Sequence, residues 1–139
     1  MSSRVKPAEP GGSYIINAVI ENEGTIVKKT ESVGVWTPCN AGDRPEGYCY
    51  ITSINPKTGI ASANEKIAVY PLIEGTIIKV PLVGTNADIV YGDKLTVAFN
   101  GAVDKLDGAG WVVGTSEEVV SANTGGYIRV RIEKFEVTV

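Results

Sequence analysis

Histidine is absent from the 139-residue chain. That removes the commonest general base, the usual activator of a serine or cysteine nucleophile, and the commonest zinc ligand. Catalysis would have to run on carboxylates alone, so no catalytic set and no cofactor are expected. Cysteine is nearly absent too, at two residues, Cys39 and Cys49. Two thiolates without an imidazole leave zinc short of its usual ligands, and no metal site is expected. No stretch approaches the roughly 20 apolar residues that span a bilayer. The N-terminus, Met1 to Gly12, lacks the apolar core of a signal peptide. A soluble product made in the cytoplasm, with no membrane partner, is the expectation. Positive charge is also short, with 13 Lys and Arg against 16 Asp and Glu. Nucleic-acid affinity comes mostly from neutralising phosphates, so nucleic acid is not an expected partner.

What is present suits a single globular domain: 43% hydrophobic and 21% charged residues in a chain long enough to bury a core without staples. The 16 glycines and 7 prolines are scattered, as many short strands joined by tight turns require. Residues 1–13 are polar and rich in Pro and Gly, and their composition predicts a flexible arm. Within it Arg4, Val5 and Lys6 are the candidates for ordering on a partner, two cations flanking a small apolar anchor. Residues 14–139 are expected to form one β domain.

The strand signals run in series. Tyr14–Ile20 is almost continuously apolar, a strand covered on both sides. Thr25–Lys28 and Val33–Trp36 follow, the latter stopped by Thr37-Pro38. A turn-rich loop covers about residues 37–48. Tyr48–Ile54, Lys66–Tyr70 and Gly75–Val80 are further strands, with Asn55–Gly59 a turn and Pro71 and Pro81 closing strands at edges or corners. Lys94–Phe99 alternates Leu95, Val97 and Phe99 against polar or small neighbours. Asn100-Gly101 favours a two-residue turn with φ > 0 at both positions. That register sets Ala102 opposite Phe99 and Leu106 opposite Leu95, and leaves Asp104 mismatched against Val97. Thr115–Glu118 has capping-box spacing, enough for one helical turn. The expected fold is all-β, a small antiparallel barrel with at most one or two helical turns.

The last strand changes phase. Ile128, Val130 and Ile132 share one face, but Phe135, Val137 and Val139 lie on the opposite parity. A bulge near Glu133 accounts for this; so would a tail that packs on another copy, which makes Phe135, Val137 and Val139 candidate subunit contacts. Cys39 and Cys49 flank a loop short enough to be closed by a disulfide, with free thiols the alternative in a cytoplasmic product. Asp88, Asp93, Asp104 and Asp107 lack the alternation of a calcium loop and read as turn residues. Trp111, inside a strand, is expected in the core. Trp36, beside Pro38 and a loop, is the better interface candidate. A carbohydrate-binding β-sandwich using Trp36, Tyr48 and Tyr50 is the alternative function.

Three segments, in their order along the chain, resemble the head decoration proteins of tailed bacteriophages, the lambda-type β-tulip-like capsid cement or stabilisation proteins. The first is Asn17-Ala18-Val19 leading through Glu23-Gly24-Thr25-Ile26-Val27. The second is Gly75-Thr76-Ile77-Ile78-Lys79-Val80-Pro81-Leu82. The third is Tyr91-Gly92-Asp93-Lys94-Leu95-Thr96-Val97, followed by Gly101-Ala102-Val103, Trp111–Gly114 and the closing strand Ile128-Arg129-Val130-Arg131-Ile132. The long, insertion-like Thr30 to Tyr50 region, which holds both cysteines, and the Lys134 to Val139 extension depart from that pattern. The resemblance implies a structural protein of the virion's outer surface. It would bind the major capsid protein as a homotrimer, bridge neighbouring capsomers, and have an N-terminal arm that orders on the shell.

Overall fold

The structure, a computed structural model, describes residues 14–49, 63–64 and 66–138. These residues form eleven strands and no helix, so the fold is all-β. The strands are β1 (Tyr14–Ile16), β2 (Ile26–Lys29), β3 (Val35–Pro38), β4 (Gly47–Cys49), β5 (Lys66–Ile67), β6 (Val69–Pro71), β7 (Ile77–Leu82), β8 (Lys94–Phe99), β9 (Ala102–Lys105), β10 (Gly110–Ser116) and β11 (Gly126–Val137). The expected Asn55–Gly59 turn and the second half of Tyr48–Ile54 lie outside the described residues.

β7 to β11 close into a barrel in the order β10-β11-β7-β9-β8. β1 to β6 form a six-stranded sheet, β5-β1-β3-β2-β4-β6. Its two edge strands are consecutive in the chain with only Ala68 between them, so this sheet also curls until its edges meet.

The two halves are copies of one topology. Each has a first strand parallel to its third, a second strand between the third and the fourth, and a last strand joining the fourth to the first. The registers also correspond, pair by pair. Val27↔Pro38 and Val27↔Gly47 match Leu95↔Lys105 and Leu95↔Gly114. Cys49↔Val69 matches Ser116↔Val130, Tyr14↔Ile67 matches Val80↔Ile128, and Ile16↔Trp36 matches Leu82↔Val103. Turn hydrogen bonds repeat as well: Gly24 N–H donates to the Cys49 carbonyl at 2.7 Å, and Gly92 N–H to the Ser116 carbonyl at 2.9 Å.

A shared packing constraint explains a glycine in each unit. A Cβ on Gly47 would lie 2.8 Å from the Tyr70 carbonyl and 2.9 Å from Val69 Cγ1. On Gly114 it would lie 2.1 Å from the Arg131 carbonyl and 2.6 Å from Val130 Cγ1. The fourth strand passes its neighbour too closely for any side chain.

Each unit has its own apolar cluster. Ile16, Ile20, Val27, Trp36, Cys49, Ile67 and Val69 fill the first. Val80, Leu82, Ile89, Leu95, Val97, Val103, Ile128 and Val130 belong to the second, which also takes in Ile26, Cys39 and Leu72 from outside its barrel. Successive residues of a strand point to opposite faces, so in β2 Val27 fills its own unit and Ile26 packs against the other. The hairpin tip at Asn100-Gly101 completes the junction. Gly101 accepts from Ile26 N–H at 3.0 Å and donates to the Cys39 carbonyl at 2.7 Å.

Pro81 has a role at this junction. Its counterpart in the first unit, Ile15, donates its N–H to the Gly34 carbonyl at 2.9 Å. Proline has no N–H, and the carbonyl corresponding to that of Gly34, on Gly101, is taken by Ile26 instead. Pro81 therefore sits within β7 opposite Tyr127, where the sequence suggested a strand end. Pro38 likewise lies in β3 opposite Val27, not beyond it. Two parallel pairings, β1 with β3 and β7 with β9, also depart from an all-antiparallel expectation.

The β8–β9 hairpin has the expected turn, with φ of 50° at Asn100 and 80° at Gly101. Its register changes between Val97 and Phe99, however, leaving Ala98 as an extra residue. Val97 thereby faces Val103, and Asp104 faces Thr96. The bulge removes the mismatch that an unbroken ladder would have imposed. In β11 the register shifts against β10 between Ile132 and Phe135, so the phase change is a bulge at Glu133–Lys134. Glu74 accepts the Lys134 N–H there at 2.8 Å.

Candidate interaction surfaces

Most residues with possible chemistry are engaged in holding loops. Asp93 accepts from Val90 N–H at 2.8 Å, Asp104 from Ala87 N–H at 3.0 Å and Asp88 from Ala122 N–H at 2.8 Å. These are the bonds that make aspartate a turn residue. Among the described residues no three His, Cys, Asp or Glu side chains converge on a metal position. Thr115–Glu118 forms no helical turn; Ser116 Oγ accepts from Glu118 N–H at 3.1 Å, and Glu118 Oε2 accepts from Arg129 N–H at 2.6 Å. No helix among the described residues is long and apolar enough to cross a membrane.

The cysteines are free and fully buried. They lie in different clusters, Cys49 within the first unit and Cys39 on the second unit's core. Of the two alternatives for this pair, free thiols are the one present. Burial pushes each thiol up to about 12, so neither is a reactive thiolate at neutral pH.

Neither tryptophan sits where the sequence suggested. Trp36 is 7% exposed and belongs to the first core, tilted against Tyr14 at 5.4 Å between ring centroids. Inward parity on β3 places most of it with Ile16 and Val27, so it is not the exposed ring the sequence suggested. Trp111 is half-buried, and Arg44 of the 37–48 loop lies over its ring at 5.2 Å. Tyr48 stacks on Tyr70 at 5.8 Å and is half-buried, so Trp36 and Tyr48 do not form the exposed aromatic row a sugar platform needs. Tyr50 lies outside the described residues.

Phe135 and Val137 sit in β11, paired with Val112 and Gly110 of the same chain, and both are half-buried. The strand that carries them is an intramolecular ladder. Arg4, Val5, Lys6 and Val139 lie outside the described residues.

Surfaces that sequence reasoning missed are apolar ones on turns. Ile89 and Val120 form an antiparallel bridge and are turned inward. Their neighbours Val90 and Val119 therefore face out together, with Tyr91 next in line; Tyr91 is 66% and Val119 75% exposed. Phe99, beside the hairpin tip, is 69% exposed. Alternation in Lys94–Phe99 had put Phe99 inside; the bulge at Ala98 turns it out. On the outer face of β7 and β11, Arg129 pairs with Glu118, Arg131 with Glu117 and Lys79 with Glu23. A third surface is an open groove of about 300 Å³ beside the β2–β3 turn, reached by Tyr14, Lys29, Val33 and Trp36.

No protein-family model and no curated protein matches the chain.

Proposed function

We propose that the protein is a structural capsid decoration protein, which binds the outer surface of a tailed-phage head and stabilises the shell by bridging neighbouring capsomers. One observation supports this reading above the others. The acidic and hydroxyl side chains around the turns hold loops in place, while Val90, Tyr91 and Val119 stand exposed together on a rigid all-β body. A body with fixed turns and an apolar patch suits docking on a preformed surface. We assign that patch to the shell. The major capsid protein as partner, a homotrimer on the shell, location in the virion and lack of enzymatic activity belong to the same proposal.

Sedimentation with undecorated capsids tests it. The protein is expected to co-pellet with shells and to stay in solution without them. Tyr91→Ser combined with Val119→Ser is expected to lower retention at least tenfold with little change in the free protein's stability. Equal retention of that variant removes the patch from the interface, and no co-pelleting of the wild-type chain defeats the function.

A further inference from the structure

The two units differ in what covers the mouth of each barrel. In the second unit the mouth lies between β7 and the β8–β9 tip, with Val80, Val97 and Val103 below it. The first unit fills it. Ile26 and Cys39 join that core, and Gly24 packs so closely on β7 that a Cβ there would lie 2.1 Å from the Lys79 carbonyl and 3.1 Å from Val80 Cα. What seals the second barrel is thus the chain that precedes it.

The register correspondence makes Tyr14, Lys29 and Trp36 the counterparts of Val80, Val97 and Val103. These three residues line the open groove of about 300 Å³, with Glu31, Val33 and Val35 forming its other wall. Val33 is fully exposed at the turn. The groove is the first unit's mouth, and the chain preceding that unit is residues 1–13, attached at Tyr14 on the groove's own rim.

That segment has chemistry suited to the site. It reads Arg4-Val5-Lys6-Pro7-Ala8-Glu9-Pro10-Gly11-Gly12-Ser13. Two prolines three apart favour the polyproline II conformation, which aromatic-lined grooves recognise at little entropic cost. Pro7 to Pro10 would span about 9 Å at 3.1 Å per residue. Gly11, Gly12 and Ser13 provide up to roughly 10 Å of permissive chain for turning back. Arg4 and Lys6 complement Glu31, and Glu9 complements Lys29.

A second copy's end face fits less well. The residues corresponding to Ile26 and Tyr48, which the first unit offers to the second, are Lys94 and Thr115, so that face is polar. The Gly34 carbonyl, which corresponds to the docking carbonyl of Gly101, already accepts from Ile15.

We infer that the groove formed by Tyr14, Trp36, Lys29 and the β2–β3 turn is a docking site for a Pro-x-x-Pro segment, and that its occupant is Pro7–Pro10 of the same chain. The inference is independent of the capsid reading, since the free protein tests it. NMR of the full isotope-labelled chain is the experiment. Amides of Arg4, Val5, Lys6, Ala8 and Glu9 are expected to show order parameters well above the flexible range of below about 0.6. Pro7→Ala combined with Pro10→Ala is expected to drop them into that range and to move the Trp36 indole and the Val33 and Val35 amides. Glu31→Lys is expected to reduce the ordering partially. Flexible arm amides in the wild-type chain, or a Trp36 indole unmoved by the double variant, would overturn the inference. So would ordering that fades on dilution, which would assign the arm to a second copy.

Discussion

Asp43 is the side chain whose titration the fold alters most legibly. Burial pushes its carboxyl up, but the Lys28 ammonium at 2.8 Å and the Asn40 N–H outweigh that and hold it below the usual range. A carboxyl depressed in the folded state contributes stability that is present above its unfolded pKa and lost as pH falls through the folded value. Lys28, raised chiefly by its hydrogen bond to Asp43, contributes below its ordinary 10.5 and loses that as pH rises through the folded value. The pair therefore supports the 37–48 loop across neutral pH. Asp43→Asn is expected to flatten the acid limb of a stability-against-pH curve, and an unchanged limb would count against it. Cys39 and Cys49 give a second check at this scale. Both are buried with thiols held up to about 12, so a thiol reagent should leave native protein unmodified and label two sites per chain after denaturation.

Glycine packing makes the third test. Gly47→Ala and Gly114→Ala each force a Cβ onto a neighbouring carbonyl, and each should cost about 1–3 kcal/mol in denaturant unfolding. Destabilisation at both sites is what matching registers require, with the larger loss at Gly114, where the carbonyl is closer. Tolerance at one would mean that the units are not equivalent there.

Strands were legible in the sequence where apolar alternation is strong and a turn fixes the ends. Lys94–Phe99 and its Asn100-Gly101 turn emerge as read, and the phase change after Ile132 correctly signals a bulge near Glu133. The Ala98 bulge was legible only as a conflict, Asp104 set against Val97. Pattern reading has no means of choosing where an extra residue goes, since that depends on which alignment of two strands buries more apolar surface. Deleting Ala98 would join Phe99 opposite Ala102 to Val97 opposite Val103 in one unbroken ladder, so that variant is expected to fold with the same pairs, and loss of the fold would contradict the bulge. Trp36 was misplaced for a related reason: Pro38 suggested a strand end, but β3 continues through it and carries Trp36 inward. The surface patch was hidden because turn residues such as Val90 and Val119 show no period, and their exposure follows from a bridge between distant segments.

The repeat belongs to the whole molecule and is nearly invisible in sequence. Two short echoes carry it: Asn17-Ala18-Val19-Ile20 with Asn86-Ala87-Asp88-Ile89, and Ser62-Ala63-Asn64 with Ser121-Ala122-Asn123. Asn64 and Asn123 both have positive φ, at 67° and 60°. Elsewhere the matching positions keep only their apolar or small character, because a five-stranded barrel constrains volume and turn geometry more than identity. The units are not independent, since Ile26 and Cys39 complete the second core. Thermal unfolding should therefore be a single transition. Gly101→Ala, whose Cβ would meet Thr25 Cγ2 at 2.2 Å, should lower its midpoint or split it in two.

The proposed role of this β body is to reinforce a shell. Calorimetry of capsids lacking the protein, with and without the purified chain added back, tests it most directly. That role predicts that added protein raises the shell's melting transition and that the Tyr91→Ser, Val119→Ser variant raises it much less. A transition at the same temperature with and without bound wild-type protein would contradict it.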